Sequence, residues 1–272
     1  MFYNQKNVSS LKDFIGVNVT TKREIPIVVS LTSCEENFGE LPSTINSIMN
    51  QELKPDRIVL WLDEDSYDLM NLPYEITRFI KNGLEIRFIK DLGTYNNLYY
   101  ALKEFEDSIV VVASDSVYYV ASWLSSLYLS YIAAPDEIQL YSAKKVSADN
   151  SSIHPSSSWK RALLGTSSFY NFPIIDAGIL FPPKCFSNEF FRKDVFLKLA
   201  ADREDVWIWC LAVVSSRKLS VVKKSVRFLI PINIFKYFVK KIFGSKKRYE
   251  DIDLSIKSML EYYRQNIFNK LN

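Results

Sequence analysis

The sequence has little of the residue types on which many binding motifs depend. Its 272 residues include 7 glycines, 3 cysteines and 1 histidine. So few glycines leave no glycine-rich phosphate loop, and His154, in a serine-rich stretch, has no partner spacing that indicates a catalytic triad. The cysteines are odd in number and form no C-x-x-C pair. This argues against a disulfide framework or a zinc site and favours reduced thiols.

Long apolar runs and a strong net charge are also missing. No stretch approaches the ~20 apolar residues that a membrane-spanning helix needs, and the first residues lack the apolar run of a signal peptide. The formal net charge of +3 is too small to indicate a nucleic-acid partner. With 48% hydrophobic and 24% charged residues, the chain is expected to be a globular cytoplasmic protein.

Short β-branched runs alternate with helical patterns in the first half of the chain. The predicted strands cover 25–31, 57–62, 84–89 and 108–113, and the predicted helices cover 40–51, 74–81 and 96–105. Such alternation predicts an α/β fold whose mostly parallel sheet has helices on both faces, with ligands at the carboxyl ends of the strands. The loops expected to carry function are therefore Thr32–Asn37, Asp63–Asp68, Asp91–Asn97 and Ser114–Tyr119.

The second half of the chain is less regular. Its patterns predict helices over 121–131 and 204–214, strands over 137–141 and 174–181, and loops over 146–172. No internal repeat or linker divides this part of the chain. The composition shifts to Ile, Phe, Lys and Arg only beyond Ser225.

Four segments carry a family resemblance through their order and spacing. They are IPIVVSLTS with NQELKPDRIVLWLDED, DLGTYNNLYYALKEFEDSIVVVASDSVYYVASWL, IIDAGILFPPKCF and ADREDVWIW. Together they resemble bacterial family-2-like glycosyltransferases of the kind found in capsule and surface-polysaccharide clusters. The resemblance implies a GT-A fold over 1–225, with a Rossmann-like nucleotide half (about 25–120) and an acceptor half (about 121–225). Residues 226–272 then form a helical extension.

The resemblance implies a donor site for a nucleotide diphosphate sugar at the strand ends. Thr32 and Ser33 are expected near the nucleobase, and Asp63 or Asp65 is expected to accept a hydrogen bond from the nucleobase or the ribose. Relatives place an acidic triplet after the fourth strand, where it holds Mg²⁺ or Mn²⁺ against the diphosphate. In this sequence the triplet is Ser114, Asp115 and Ser116.

Three departures from the family pattern reduce the charge available to the diphosphate. Serines replace both outer carboxylates, so Asp115 is the one candidate metal ligand and the metal requirement is open. Asparagine stands at Asn97, where relatives often have a lysine that faces the phosphates. Asn97 is expected to donate a hydrogen bond to the donor but cannot neutralise its charge. Glu35–Asn37 follows the first strand, where relatives often have a basic residue. Lys160 and Arg161 are alternative cations. The other interpretation of the triplet is a polar loop that holds the strand end.

The acceptor side keeps the acidic residues that such an enzyme needs. The resemblance implies that Asp205 is the general base, with Glu204 adjacent and Asp202 in reserve, because a base must take the proton of the acceptor hydroxyl. The alternative is that these carboxylates only stabilise a helix N-terminus. Asp176, Gly178 and Trp207 are expected beside the sugars. A two-residue spacing places Trp207 and Trp209 on different sides of a helix, so one of them is expected in the core.

The extension carries an apolar stripe among many cations. The stripe consists of Ile234, Phe235, Phe238, Val239, Ile242 and Phe243, and lysines and arginines surround it as far as Arg248. A basic amphipathic helix of this kind over 231–248 is typical of peripheral contact with an anionic membrane. The alternative is a stripe that packs on the domain.

The sequence therefore predicts an inverting glycosyltransferase of surface-polysaccharide synthesis, with a glycan or lipid-linked acceptor. It is expected in the cytoplasm or at the inner face of the membrane. The alternative is a catalytically inactive relative that binds a nucleotide, a glycan or a protein partner.

Overall fold

The computed structural model describes residues 14–149, 152–224 and 230–271. Its helices are α1 Leu41–Met49, α2 Tyr74–Thr77, α3 Asn96–Glu104, α4 Trp123–Ala133, α5 Lys193–Leu199, α6 Glu204–Val214 and α7 Ile234–Leu271. Its strands are β1 Ile27–Thr32, β2 Arg57–Asp63, β3 Leu84–Ile89, β4 Ile109–Val112, β5 Val117–Tyr118, β6 Ile138–Leu140, β7 Ala143–Lys145, β8 Lys160–Arg161, β9 Ser167–Ser168, β10 Asn171–Pro173, β11 Ile179–Phe181, β12 Leu219–Val221 and β13 Ile230–Pro231.

Eight of these strands form the central sheet, in the order β3-β2-β1-β4-β11-β6-β12-β9. The first four are mutually parallel, and Val29 of β1 pairs with Ile58 on one side and Val111 on the other. Strand β11 is antiparallel to β4 and β6, whereas β12 is parallel to β6. The predicted α/β fold with a mostly parallel sheet is confirmed.

Helices cover both faces of this sheet, as alternate residues of β1 show. Val28 belongs to an apolar core with residues of α3, α6 and α7, whereas Val29 belongs to a second core with residues of α1 and α4. Strands β1, β2 and β4 are therefore buried on both faces. This burial explains their nearly continuous apolar runs.

Two predicted elements are much shorter than expected, and a glycine lies next to the point where each ends or begins. The helix expected over 74–81 ends at Thr77 and is followed by a 3₁₀ turn, with Gly83 at a left-handed φ of 106°. The strand expected over 174–181 begins only at Ile179, because Gly178 has a φ of 99° and follows another 3₁₀ turn. The expected loops over 146–172 also contain β8 and β9 and part of β10.

The long helix α7 packs on the domain through its later turns. Ile252, Ile256 and Met259 are buried there beside α6. At its beginning, Ile234, Phe235 and Phe238 are 61%, 81% and 51% exposed. The predicted stripe is therefore unpacked in these turns; the side chains of Ile242 and Phe243 lie outside the described part. Within the described ranges, no helix has the length and apolarity needed to cross a membrane.

Candidate active site at the carboxyl edge of the sheet

The predicted donor residues lie at one edge of the central sheet. Thr32 ends β1, Asp63 ends β2, and the Ser114–Ser116 loop follows β4. Because β2, β1 and β4 are adjacent and parallel, their carboxyl ends meet there. We call this region the carboxyl edge.

Asp115 is the centre of a hydrogen-bond network at the carboxyl edge. Its Oδ2 accepts from the Ser33 hydroxyl at 2.7 Å and from the Asn37 side-chain amide at 2.9 Å. Its backbone carbonyl accepts from the Thr44 hydroxyl at 2.8 Å. Burial raises the pKa of Asp115, the two donors lower it in part, and the neighbouring Asp176 raises it further. Asp176 therefore lies close enough to Asp115 for the two charges to interact.

Tyr119 fixes the shape of the Ser114–Ser116 loop. Its hydroxyl accepts a hydrogen bond from the Ser114 backbone N–H at 2.8 Å and donates one to the Asp176 carbonyl at 3.0 Å. The hydroxyls of Ser114 and Ser116 lie 3.4 Å apart. One tyrosine thus joins the loop after β4 to the segment before β11, and so holds Asp176 beside Asp115.

A cation from the C-terminal extension enters the same network. Strand β13 pairs with β5, and the Ile232 N–H donates to the Ser116 carbonyl at 3.1 Å. The chain then enters α7, and Lys236 Nζ donates to Asn37 Oδ1 at 2.5 Å and lies 3.2 Å from Glu40 Oε1. The sequence did not indicate that Lys236 lies near the loops that follow β1 and β4. Only the β13–β5 pairing brings it to the carboxyl edge, and no local pattern signals that pairing.

The donor set around Asp115 does not fit a tightly held divalent cation. Such ions prefer several charged oxygen ligands, and the Ser114–Ser116 loop offers one carboxylate between two hydroxyls. Asp115 Oδ2 already accepts two hydrogen bonds, and the next polar group along that network is an ammonium. In the described ranges, no three His, Cys, Asp or Glu side chains group into a metal site.

Other predicted donor residues make local contacts. The Thr32 hydroxyl donates to the Trp61 carbonyl at 3.0 Å. Asp63 accepts from the Asp65 N–H at 3.2 Å and so shapes its own turn, while Asp65 is exposed. Asn97 is buried and its side-chain amide donates to the Ala113 carbonyl at 3.3 Å. That contact ties α3 to the end of β4, in place of the phosphate contact expected of Asn97.

The acidic pair, Glu204 and Asp205, begins α6. Arg203 forms an ion pair with Asp205, whose Oδ1 also accepts from the Val206 N–H at 2.9 Å. The Asp205 side chain is only 6% exposed, and burial raises its pKa. Glu204 is less buried and is hydrogen-bonded to Thr94. Burial, together with the charge of Asp205, raises the pKa of Glu204 to about 8.

Aromatic packing holds the Thr94 turn against the acidic pair. The Tyr95 hydroxyl donates to the Ala200 carbonyl at 2.7 Å, and its ring stacks on Phe196 with centroids 4.2 Å apart. Gly93–Tyr95 lies between β3 and α3, so this contact connects the end of β3 to the turn between α5 and α6. A carboxyl with a raised pKa at such a junction is typical of a general acid or base.

Two of the residues expected beside the sugars serve the core. Trp207 is fully buried and its indole N–H donates to the Phe190 carbonyl at 3.1 Å, so it offers no face for sugar stacking. Trp209 is also fully buried. A Cβ on Gly178 would lie 2.6 Å from Trp123, so Gly178 makes room for a tryptophan rather than for a sugar. Asp176 remains half-buried beside Asp115.

Comparisons with solved structures place this architecture among known folds. A crystal structure of TarS 1–349 from S. aureus in complex with UDP aligns at a TM-score of 0.53 and 14% identity, over 91% of this chain and 71% of that chain. A second structure of TarS 1–349 aligns at 0.49 and 14%, over 88% and 72%. HddC from Yersinia pseudotuberculosis aligns at 0.46 and 14%, over 79% and 97%.

The likeness to TarS, a glycosyltransferase, shows the fold. The expected GT-A type of α/β fold is thereby confirmed. No family model matches the sequence, and no curated protein matches it.

Proposed function

We propose that this protein is an inverting glycosyltransferase that uses a nucleotide diphosphate sugar. The observation that carries the proposal is the Glu204 carboxyl, half-buried, with a pKa raised to about 8 and hydrogen-bonded to Thr94. In its ionised form, which predominates above about pH 8, such a group is suited to taking a proton from a hydroxyl. The protein has a GT-A fold, and Ser33, Asp115 and Asp176 lie at the carboxyl edge of its sheet.

We assign the role of base to Glu204, where the sequence favoured Asp205. Asp205 is almost completely buried, and its carboxylate is engaged by Arg203 and by a helix N–H. Glu204 is the more accessible of the pair. The charge of Asp205 increases the proton affinity of Glu204. Asp205 is therefore a positioning residue in this proposal.

The reaction balances with Glu204 ionised at the start. The acceptor hydroxyl oxygen attacks the anomeric carbon of the donor sugar from the face opposite the diphosphate. Its proton passes to Glu204, the carbon–oxygen bond to the diphosphate breaks, and the nucleoside diphosphate leaves with the bonding electron pair. The new glycosidic bond has the opposite configuration at that carbon.

The nucleotide is proposed to bind at the carboxyl edge. The half-buried Thr32 and Ser33 would face the nucleobase, and Asp63 or Asp65 would accept from it or from the ribose. The crystal structure of TarS in complex with UDP supports testing uridine nucleotides first. Ser114 and Ser116 would offer hydroxyls, rather than charges, to the donor.

The acceptor is proposed to be a glycan or a lipid-linked sugar of surface-polysaccharide synthesis, including capsule. The exposed Ile234, Phe235 and Phe238 support peripheral contact with the inner face of the membrane, since exposed Lys247 and Arg248 follow in the same helix. A soluble cytoplasmic domain held there would meet lipid-linked acceptors.

A binding and turnover experiment tests the proposal. The full chain would be titrated with UDP, CDP, GDP, dTDP and ADP, and then assayed for hydrolysis or transfer with the sugar forms of the nucleotides that bind. We expect binding of at least one of them, and turnover reduced at least about 100-fold in Glu204→Gln. Asp205→Asn should reduce turnover less.

Two results would contradict the proposal. Binding without turnover of any donor would favour the inactive relative, for which the serines of the Ser114–Ser116 loop already argue. No binding at all would refute a donor site at the carboxyl edge.

A further inference from the structure

The segment Ile230–Lys236, which we call the strap, crosses the loop that carries Asp115. Strand β13 pairs with β5, and the Ile232 N–H donates to the Ser116 carbonyl at 3.1 Å. The strap ends with Lys236, whose side chain is 41% exposed. The backbone of this lysine is thereby fixed next to the carboxyl edge, while its side chain remains partly exposed.

Among the described residues, Lys236 is the cation that is hydrogen-bonded into the Asp115 network. Its ammonium donates to Asn37 Oδ1 at 2.5 Å and to the Glu36 carbonyl at 3.0 Å, and lies 3.2 Å from Glu40 Oε1. Asn37 in turn donates to Asp115 at 2.9 Å. The loop after β1, which lacks a basic residue of its own, thus receives one from the extension.

We propose that Lys236 binds the diphosphate of the donor and supplies the positive charge for which a metal ion does not fit here. The inference rests on the proposed function. A leaving diphosphate gains negative charge as the sugar transfers, and a fixed cation beside it stabilises that charge. Lysine is a usual point-charge partner for phosphate.

Without a bound donor, Glu40 is the ion-pair partner of Lys236. The Glu40 side chain is only 11% exposed and forms the ion pair with the ammonium. A diphosphate carries more negative charge than one carboxylate, so the ammonium exchanges Glu40 for a phosphate oxygen when the donor binds. Glu40 therefore competes with the ligand, and removing Glu40 should have the opposite effect to removing Lys236.

The opposite effects expected of removing Lys236 and removing Glu40 can be measured by nucleotide binding. UDP, CDP, GDP, dTDP and ADP would each be titrated by calorimetry beside the matching nucleoside, in EDTA. We expect Lys236→Gln to weaken binding of the preferred diphosphate about 10-fold or more and to leave nucleoside binding unchanged. Glu40→Gln should tighten diphosphate binding, and Lys236→Arg should retain most of it. Lys247→Gln, an exposed lysine of the same helix, is the matched control.

The outcomes separate this inference from the proposed function. If wild-type protein binds a diphosphate and Lys236→Gln binds it equally well, the inference is wrong and the donor site stands. If Lys236→Gln and Glu40→Gln both weaken diphosphate and nucleoside alike, their ion pair only supports the loop and the inference is also wrong. If wild-type protein binds no diphosphate, both the function and the inference fail.

Discussion

At Glu204 a single carboxyl combines burial, a neighbouring charge and a hydrogen bond. Its pKa is raised to about 8 because burial and the Asp205 carboxylate both disfavour its ionised form, and the Thr94 hydrogen bond offsets only part of that effect. A carboxyl of this kind reduces the stability of the folded protein when it ionises. Functional groups commonly carry such a cost.

The pH dependence of the free energy of unfolding tests whether the pKa of Glu204 is raised. Its folded-state pKa of about 8 lies above the ordinary value of 4.5, so the folded protein binds the proton more tightly. The free energy of unfolding therefore decreases as the pH rises from about 4.5 to about 8. We expect Glu204→Gln to melt about 5 °C above wild type at pH 8.5, and close to wild type near pH 4.5. Thermal unfolding followed by circular dichroism measures both.

The exposed Glu250 supplies the control for this experiment. Glu250→Gln should follow the wild-type melting curve at both pH values. A melting difference for Glu204→Gln that is the same at pH 4.5 and pH 8.5 would contradict the raised pKa, because only a titrating group makes the difference depend on pH.

At the scale of elements, the turn before β11 sets where Asp176 lies. Gly178 adopts a φ of 99° in that turn, and Trp123 of α4 fills the space where a side chain would stand. The Trp123 indole N–H donates to the Ala177 carbonyl at 2.9 Å. Helix α4 and the turn are therefore fitted to each other, and Asp176 is held beside Asp115 as a result.

Gly178→Ala should destabilise the protein by about 2–4 kcal/mol, because it adds both backbone strain and a clash with an indole ring. Urea unfolding at neutral pH measures the change. Gly39→Ala is the matched control, since a Cβ there has nothing within 4 Å, and its effect should stay within about 0.5 kcal/mol. Equal effects of the two substitutions would show that the packing around Gly178 adapts.

The first turns of α7 carry the membrane prediction. Phe235 and Phe238 are exposed, lie three residues apart and belong to a basic segment. We expect the 272-residue chain to float with phosphatidylglycerol-containing vesicles. The double substitution Phe235→Glu with Phe238→Glu should reduce the floating fraction several-fold. Flotation in a density gradient measures it.

Leu254, exposed on a later turn of the same helix, provides the control. Leu254→Glu adds a negative charge outside the apolar patch and should float like wild type. If wild-type protein does not float, or if all three proteins float equally, α7 does not use this patch to contact the membrane.

At the scale of the whole molecule, two cores on opposite faces of one sheet hold the candidate site. One core contains residues of α3, α6 and α7, and the other contains residues of α1 and α4. The acidic pair belongs to the first side through α6, whereas the loop at Asp115 is anchored to α1 on the second side through Thr44.

The sequence by itself determined the alternation of strands and helices up to β4. Local sequence patterns predict those elements. A strand buried on both faces is apolar at nearly every position, and the apolar residues of an amphipathic helix recur about every 3.6 residues. The same pattern predicted that the loops after β1, β2 and β4 lie at one edge of the sheet. The acidic pair at the start of α6 was also visible in the sequence.

Only the tertiary structure decided which charged and polar groups meet. Thr94 reaches Glu204, Arg203 pairs with Asp205, and Lys236 joins the Asp115 network. The first and last of these contacts join residues far apart in the chain, and no local propensity records them. The sequence also could not predict the burial of Trp207. Helical spacing places Trp207 and Trp209 on different sides of α6, but only the fold shows that the core surrounds both sides. Topology brings such groups together, and their proximity then sets their charge and chemistry.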